Sequence, residues 1–375
     1  MILIINASNI KNGGGLQVAL SIVKECFEFP DNNYHIFLSK EISKQIIKSE
    51  FANNFHFYQI KHSPSSLFHS FGTIRILKKL ESKICPDCVF TIFGPSYWTP
   101  KCLHILGFAQ GYYLYPESPF FTVIRLIPKL KINLLKRVHC FFFKRNSKYY
   151  FVESEDAKLR LSLFLHKSKD DIYVISNTYH SVFDLQVVGN SLMPSKKNDE
   201  IRLVTISSYY QHKNIEIIKE VISELKKKST LKYIFILTIN HIIFESKFKE
   251  FKENIINLGP VPIDLCPKIY QECDFLFLPS LVEIFTASYP EAMKMKKPIL
   301  TSNLSFARDI CGEAAAYFDP LNPEDIANKI VNLANDKNRQ NELIKKGEVR
   351  LLEFETPSSR AEKLLAICNN LIKMR

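Results

Sequence analysis

Two glutamates set eight residues apart, Glu283 and Glu291, carry the sharpest chemical signal in the chain. The run Phe275-Leu276-Phe277-Leu278 is apolar enough for a buried strand, and it stops at Pro279-Ser280. Glu283 then falls in the loop at the strand's carboxyl end, and Glu291 in the first turn of the helix that follows. Carboxylates so placed flank a loop whose backbone amides can face a phosphate. Each is also a good acceptor for a vicinal diol, such as that of a ribose or a hexose. Glu291 has a second reading, because Ser288-x-x-Glu291 fits a capping box that closes a helix end. Glu283 has no such local explanation and is the more informative of the two.

Two further loops offer phosphate chemistry. The strand-like run Arg202–Ser207 leads into Ser208-Tyr209-Tyr210-Gln211-His212-Lys213-Asn214 and then a helix. A lysine in such a loop can neutralise a diphosphate, and Ser207 and Ser208 can donate hydrogen bonds, although a loop lysine is more often simply solvated. Near the start, Ile2–Ala7 reads as a strand, and Gly13-Gly14-Gly15 precedes an amphipathic helix. Glycines before a helix let backbone amides approach a phosphate, and a flexible turn is the plain alternative. No G-x-G-x-x-G fingerprint is present, so a nicotinamide cofactor is not expected. Cys85-Pro86-Asp87-Cys88 is a lone pair among nine scattered cysteines, which favours reduced, buried thiols over zinc.

The elements that must hold these loops come in two series. Strand-like runs at Ile2–Ala7, His35–Ser39, Phe55–Ile60, Cys88–Phe93, Leu103–Phe108, Lys148–Val152 and Ile172–Ser176 form the first. Runs at Arg202–Ser207, Tyr233–Thr238, Ile255–Leu258, Phe275–Pro279 and Pro298–Ser302 form the second. Helical patterns at Leu16–Phe27, Glu216–Lys228, Pro290–Lys294, Pro323–Asn335 and Arg360–Lys373 fall between or after them. Short apolar strands alternating with helices predict parallel sheets covered on both faces. Two such series predict an α/β fold of two doubly wound, Rossmann-like domains facing a central cleft, with ligands beyond the carboxyl ends of the strands. The polar stretch Val187–Glu200 is the expected linker, giving domains at 1–186 and 187–359, with a last helix near 360–375.

Composition narrows the class. With 375 residues, 46% of them hydrophobic and 23% charged, the chain is globular and not disordered. No apolar run approaches the length of a membrane-spanning helix, and the opening Met1–Asn6 reads as a buried strand rather than a secretory leader. The net charge of +12 is lopsided: residues 1–180 hold 23 Lys and Arg against 13 Asp and Glu, and residues 181–375 hold 27 against 25. Ser118–Val152 contains eight Lys and Arg and no acid, interleaved with bulky apolar residues. That pattern suggests a surface resting on anionic lipid; a packed helix with snorkelling lysines is the alternative. No nucleic-acid motif accompanies the charge.

Taken together, these residues resemble the family-4 retaining glycosyltransferases of the GT-B fold, over nearly the whole chain. Glu283 and Glu291 match that family's paired-glutamate motif, and Glu291-Ala292-Met293, Lys297–Ser302, Gly312–Ala315 and Phe318-Asp319-Pro320 fit the text around it. Leu258-Gly259-Pro260-Val261 is similar to the strand end beside the donor base, and His212-Lys213-Asn214 to the phosphate-lysine loop. The resemblance implies that Glu291 holds ribose hydroxyls, that Glu283 holds hydroxyls of the donor sugar, and that Lys213 binds the diphosphate. It puts Gly259 and Val261 at the base, Ser208 and the amides of Ile284, Phe285, Thr286 and Ala287 at the sugar-phosphate, and Gly14 and Gly15 over it. It implies that the last helix packs back on the first domain. The sequence departs from the family in three places. Ile284 and Thr286 stand where glycines are usual, Ser207-Ser208 replaces an upstream arginine, and Gln110 replaces a histidine after a first-domain strand. Gln110 can hydrogen-bond a sugar but cannot act as a base.

The expectation is therefore a sugar transferase using a nucleotide-diphosphate donor, without metal or other cofactor, on a glycan acceptor, the first domain taking the acceptor. A bacterial surface-polysaccharide role of O-antigen or capsule type, a lipid-linked acceptor, and a cytoplasmic enzyme docked through residues 118–152 on the inner membrane face complete it; no nucleic-acid partner is expected. A GT-B-shaped scaffold subunit that has lost activity is the competing class, and a Rossmann oxidoreductase a third.

Overall fold

The structure, a computed structural model, describes residues 1–11 and 13–374. It divides into two compact units. One comprises Met1–Pro116, Ile124–Asn177 and Glu355–Arg375; the other comprises Glu117–Val123 and Thr178–Phe354. The chain thus leaves the first unit at Asn177, ahead of the linker expected at Val187–Glu200, and returns to it at Glu355. Arg375, the end of the expected last helix, lies outside the described residues.

The first unit holds seven strands: β1 (Ile2–Ala7), β2 (Asn33–Leu38), β3 (Phe55–Gln59), β4 (Cys88–Thr91), β5 (Leu103–Gly107), β6 (Tyr149–Val152) and β7 (Ile172–Val174). They pair in the order β3-β2-β1-β4-β5-β6-β7, all parallel. Successive residues face opposite sides of such a sheet, and both sides here are apolar. Leu3, Ile5, Ala7, Phe90 and Ile105 join Ala19, Ile22 and Val23 of the helix Gly14–Glu25 and Leu364, Leu365, Cys368 and Leu371 of the helix Pro357–Lys373. Ile4, Phe37 and Val89 meet Trp98 and Leu77 of the helix Ser70–Ile84 on the other side.

The last helix is also fixed by charge. Arg360 donates from Nε to Glu25 Oε2 at 2.9 Å, from Nη1 to Asn177 Oδ1 at 2.7 Å and from Nη2 to Ser21 Oγ at 2.6 Å, with Arg360 and Glu25 both buried.

The second unit holds β8 (Glu200–Thr205), β9 (Lys232–Leu237), β10 (Ile255–Asn257), β11 (Phe275–Leu278), β12 (Ile299–Ser302) and β13 (Ala315–Phe318), in the parallel order β10-β9-β8-β11-β12-β13. β13 is absent from the sequence expectation, since Ala-Ala-Tyr-Phe lacks the β-branched run that marks its neighbours. In both sheets the strand order reverses once, between β1 and β4 and between β8 and β11. Those are the topological switch points at which ligands of doubly wound sheets bind.

The acid-free stretch Ser118–Val152 is not one element. Phe120–Val123 is a short helix counted with the second unit; Leu126–Asn146 is a long helix of the first, and the remainder enters β6. Among the described residues, no helix is long and apolar enough to cross a membrane.

Candidate active site

The switch point of the second unit brings together two of the loops singled out by sequence. β8 and β11 are neighbours, so the loops leaving their carboxyl ends, 206–214 and 279–287, emerge side by side. Leu281 N donates to His212 O at 2.7 Å and ties one loop to the other. Asn214, at φ 53°, donates from Nδ2 to Pro320 O at 2.8 Å and ties the first loop to the end of β13.

Lys213 and Glu283 meet there. Lys213 Nζ lies 2.5 Å from Glu283 Oε1, and His212 Nε2 lies 4.0 Å from the same oxygen. The lysine contact is misaligned for a hydrogen bond, so charge attraction carries it. Both side chains are only about a tenth exposed, and an unpaired charge at that depth would be costly. Burial lowers the His212 pKa below its ordinary value, with Glu283 opposing and Lys213 adding to the effect. The tip is therefore a part-buried cation–carboxylate pair beside an imidazole that favours its neutral form. Neither His212's place in this cluster nor the pairing itself was expected from sequence.

Glu291 sits in the helix Ser288–Lys294, whose N-cap is Ala287. Ala287 has no side-chain oxygen and no side-chain cap bond is made, so the Ser288–Glu291 capping box does not form. The helix starts one residue too early for it: Ser288 already lies inside. Glu291 is instead buried and accepts a hydrogen bond at Oε2 from Tyr270 Oη at 3.0 Å. Burial pushes its pKa up to about 7, the tyrosine bond opposing. Tyr270 is 21 residues away, and nothing local in the sequence marks it as the partner.

Between the two glutamates the chain has no glycine. Ile284 and Phe285 turn inward, Phe285 packing edge-on against Phe354 with ring centroids 5.6 Å apart. Thr286 and Ala287 stay half-buried. Among the described residues, none accepts a hydrogen bond from the amides of Ile284, Phe285, Thr286 or Ala287. Bulky side chains anchor the loop from within while its donors remain available.

Other expected residues stand apart from this cluster. Ser208 is exposed in the 206–214 loop, its carbonyl accepting from Ser207 Oγ. Gly259 and Val261 follow β10 at the sheet edge. Gly259 must be glycine, since its φ is 75° and a Cβ would lie 2.3 Å from His241 Nε2. In the first unit, Gly14 and Gly15 form the first turn of the helix Gly14–Glu25 behind Gly13, at φ 73°. Gln110 occupies the position before the short helix Gly111–Leu114 that follows β5, and its side chain makes no capping bond to it. Close to Gln110 is a group passed over in the sequence. His139 bridges Tyr97 Oη and Tyr113 Oη at 3.0 Å on each side, and Lys136 Nζ donates to Tyr113 O. Burial raises the pKa of the Tyr113 hydroxyl to about 12.

Two parallel Rossmann-like units of seven and six strands define the GT-B fold. The solved structures this chain resembles share it. HepE of Anabaena, in complex with UDP and glucose, is 12% identical with a TM-score of 0.71, covering 99% of this chain and 100% of that one. A glycosyltransferase from Rickettsia africae is 16% identical with a TM-score of 0.72, covering 99% and 98%. WaaG, a glycosyltransferase of lipopolysaccharide biosynthesis, is 11% identical with a TM-score of 0.72, covering 98% and 99%. Residues 193–350 match the profile of the family Glycosyl transferases group 1, a span that contains Lys213, Glu283 and Glu291. Curated proteins include no match to the chain.

Proposed function

We propose that this protein is a retaining glycosyltransferase that moves a sugar from a nucleotide-diphosphate donor to a glycan acceptor. The observation that carries the reading is the Lys213–Glu283 pair at the switch point of the second unit, inside the span matching the group 1 transferases. On this reading the pair opens when donor binds. Lys213 turns to the diphosphate, Glu283 accepts hydroxyls of the donor sugar, and Glu291 accepts ribose hydroxyls. The amides of Ile284–Ala287 face the phosphate oxygens, where negative charge grows as the glycosidic bond breaks. The acceptor hydroxyl attacks from the face that the nucleotide leaves, so the departing phosphate can take its proton and no second carboxylate is needed as base. Gly14, Gly15 and Gln110 serve the sugar and acceptor side, Gly259 and Val261 the base. No metal or other cofactor is assigned a part.

The acceptor we assign is lipid-linked, in surface-polysaccharide assembly at the inner face of the cytoplasmic membrane. The helix Leu126–Asn146 supports this: Ile127, Leu130, Leu134, Val138 and Phe141 form an exposed stripe at helical spacing, with exposed Arg125, Lys129, Lys131, Arg137, Lys144 and Arg145 around it. A packed helix with snorkelling lysines would have turned that stripe inward.

The test is turnover of a panel of UDP- and GDP-sugars by wild type and Glu283→Gln. The wild type should release nucleoside diphosphate from one donor, and the variant should bind that nucleotide with most of its affinity yet transfer little. Turnover by the variant at the wild-type rate removes Glu283 from the site. Absence of donor binding throughout favours the scaffold reading.

A further inference from the structure

We infer that the turn Ser63–Phe71 of the first unit is a second lipid-contacting element, a preformed apolar tip that inserts among the acyl chains of an anionic bilayer. Leu67, Phe68 and Phe71 are 93%, 93% and 91% exposed. Apolar side chains this open, three within five residues, are not the scattered surface hydrophobes of an ordinary domain. The turn beneath them is well braced. Ser66 N donates to Ser63 O at 3.0 Å, Ser70 N to Ser66 O at 3.0 Å and Ser70 Oγ to Pro64 O at 2.7 Å, and the His62 and His69 rings stack with centroids 3.9 Å apart. The backbone thus holds these side chains outward.

Charge selects the partner. Residues 51–80 contain no Asp or Glu, and Lys61, Arg75, Lys78 and Lys79 are all exposed beside the tip. A second copy would bring like charges together, whereas an anionic headgroup layer complements them.

Position agrees. Val89, opposite His104 in the β4–β5 register, packs with Leu77 of the helix Ser70–Ile84. His104 Nδ1 lies 2.8 Å from Asn146 O, at the end of the helix Leu126–Asn146. Both helices therefore cover the same face of the sheet. Each runs antiparallel to the strands in its crossover, so both start at the carboxyl edge. The tip and the exposed stripe stand on one face, and two attachments there would fix the unit's orientation where one helix would let it roll.

This inference rests on the membrane-facing part of the proposed function, and the experiment separates the two. Phe68→Trp is read by fluorescence on phosphatidylglycerol–phosphatidylcholine vesicles with and without brominated acyl chains; Trp98, fully buried, gives a constant background. The reporter should shift to the blue and be quenched by the bromines. Leu67→Ser, Phe68→Ser and Phe71→Ser combined should weaken vesicle binding about tenfold or more, with unchanged melting temperature and unchanged salt dependence of what binding remains. If wild type binds vesicles but the reporter is not quenched, or the triple variant binds equally well, the tip is not inserted and this inference alone falls. A blue shift that follows protein concentration without lipid, with dimers in sedimentation, assigns the tip to a second copy and overturns it. If wild type does not bind anionic vesicles at low salt, both fall.

Discussion

Replacing Glu291 with Gln should have opposite effects on stability and on nucleotide binding, both following from the burial of one carboxylate. The side chain is buried with Tyr270 as its hydrogen-bond donor, and its pKa rises from 4.5 to about 7. A folded-state value above the unfolded one means a contribution to stability that is full below pH 4.5 and is lost as pH rises through 7. Between pH 5 and pH 8 the wild type should lose roughly 2–3 kcal/mol through this group. Gln keeps the shape and can still accept from Tyr270, but it has no charge to bury, so the variant should gain on wild type by that amount across the interval. Binding runs the other way. Ribose hydroxyls need acceptors, and the ionised carboxylate is the better one, so wild-type affinity for UDP or GDP should fall about tenfold from pH 8 to pH 6 as the group protonates. The variant should bind more weakly at pH 8 and lack this step, while keeping any pH dependence owed to the phosphates. Chemical denaturation and calorimetric titration at pH 5, 6, 7 and 8 measure both. Parallel stability profiles for the two proteins would refute the burial argument, and equal nucleotide affinity at pH 8 would remove Glu291 from the ribose.

Lys213→Ala should weaken nucleoside diphosphate binding far more than nucleoside binding, and it should cost about 1–3 kcal/mol of stability by leaving Glu283 unpaired; Lys213→Ala with Glu283→Gln should recover most of that stability, as a melting series would record. Arg360→Ala should destabilise the first unit by about 3–5 kcal/mol, since Glu25 is left buried without its cation, without changing nucleotide affinity of the protein that remains folded; denaturation and titration together check it. Lys131→Gln, Arg137→Gln and Lys144→Gln combined should release the protein from anionic vesicles at lower salt than wild type, with activity on a short soluble acceptor preserved; co-sedimentation across a salt series is the assay.

The strands were legible because each is a short apolar run with one reading: Ile2–Ala7 is recovered to the residue, and Phe275–Leu278 differs only in losing Pro279. Helices such as Ser70–Ile84 and Leu126–Asn146 were not, because much of what they display to solvent is apolar and blurs the periodicity that reveals a buried stripe. At the site, Glu283, Glu291 and Lys213 could be named from loop position and residue type. The Lys213–Glu283 pairing could not, since it exists only once β8 and β11 lie side by side and bring together two residues 70 positions apart in the chain. Tyr270 was hidden for the same reason. The capping reading of Glu291 failed over one residue of helix boundary, which sequence patterns do not resolve.

The return of the chain at Glu355 has a consequence for the order in which the protein is made. The first unit begins at Met1 but lacks Arg360, Leu364, Leu365, Cys368 and Leu371 until the last helix has left the ribosome. Thr178–Phe354 emerges before that, so the second sheet can close while the first still shows an open apolar face and a buried-to-be Glu25 without its arginine. During synthesis the amino-terminal unit is therefore the later of the two to mature.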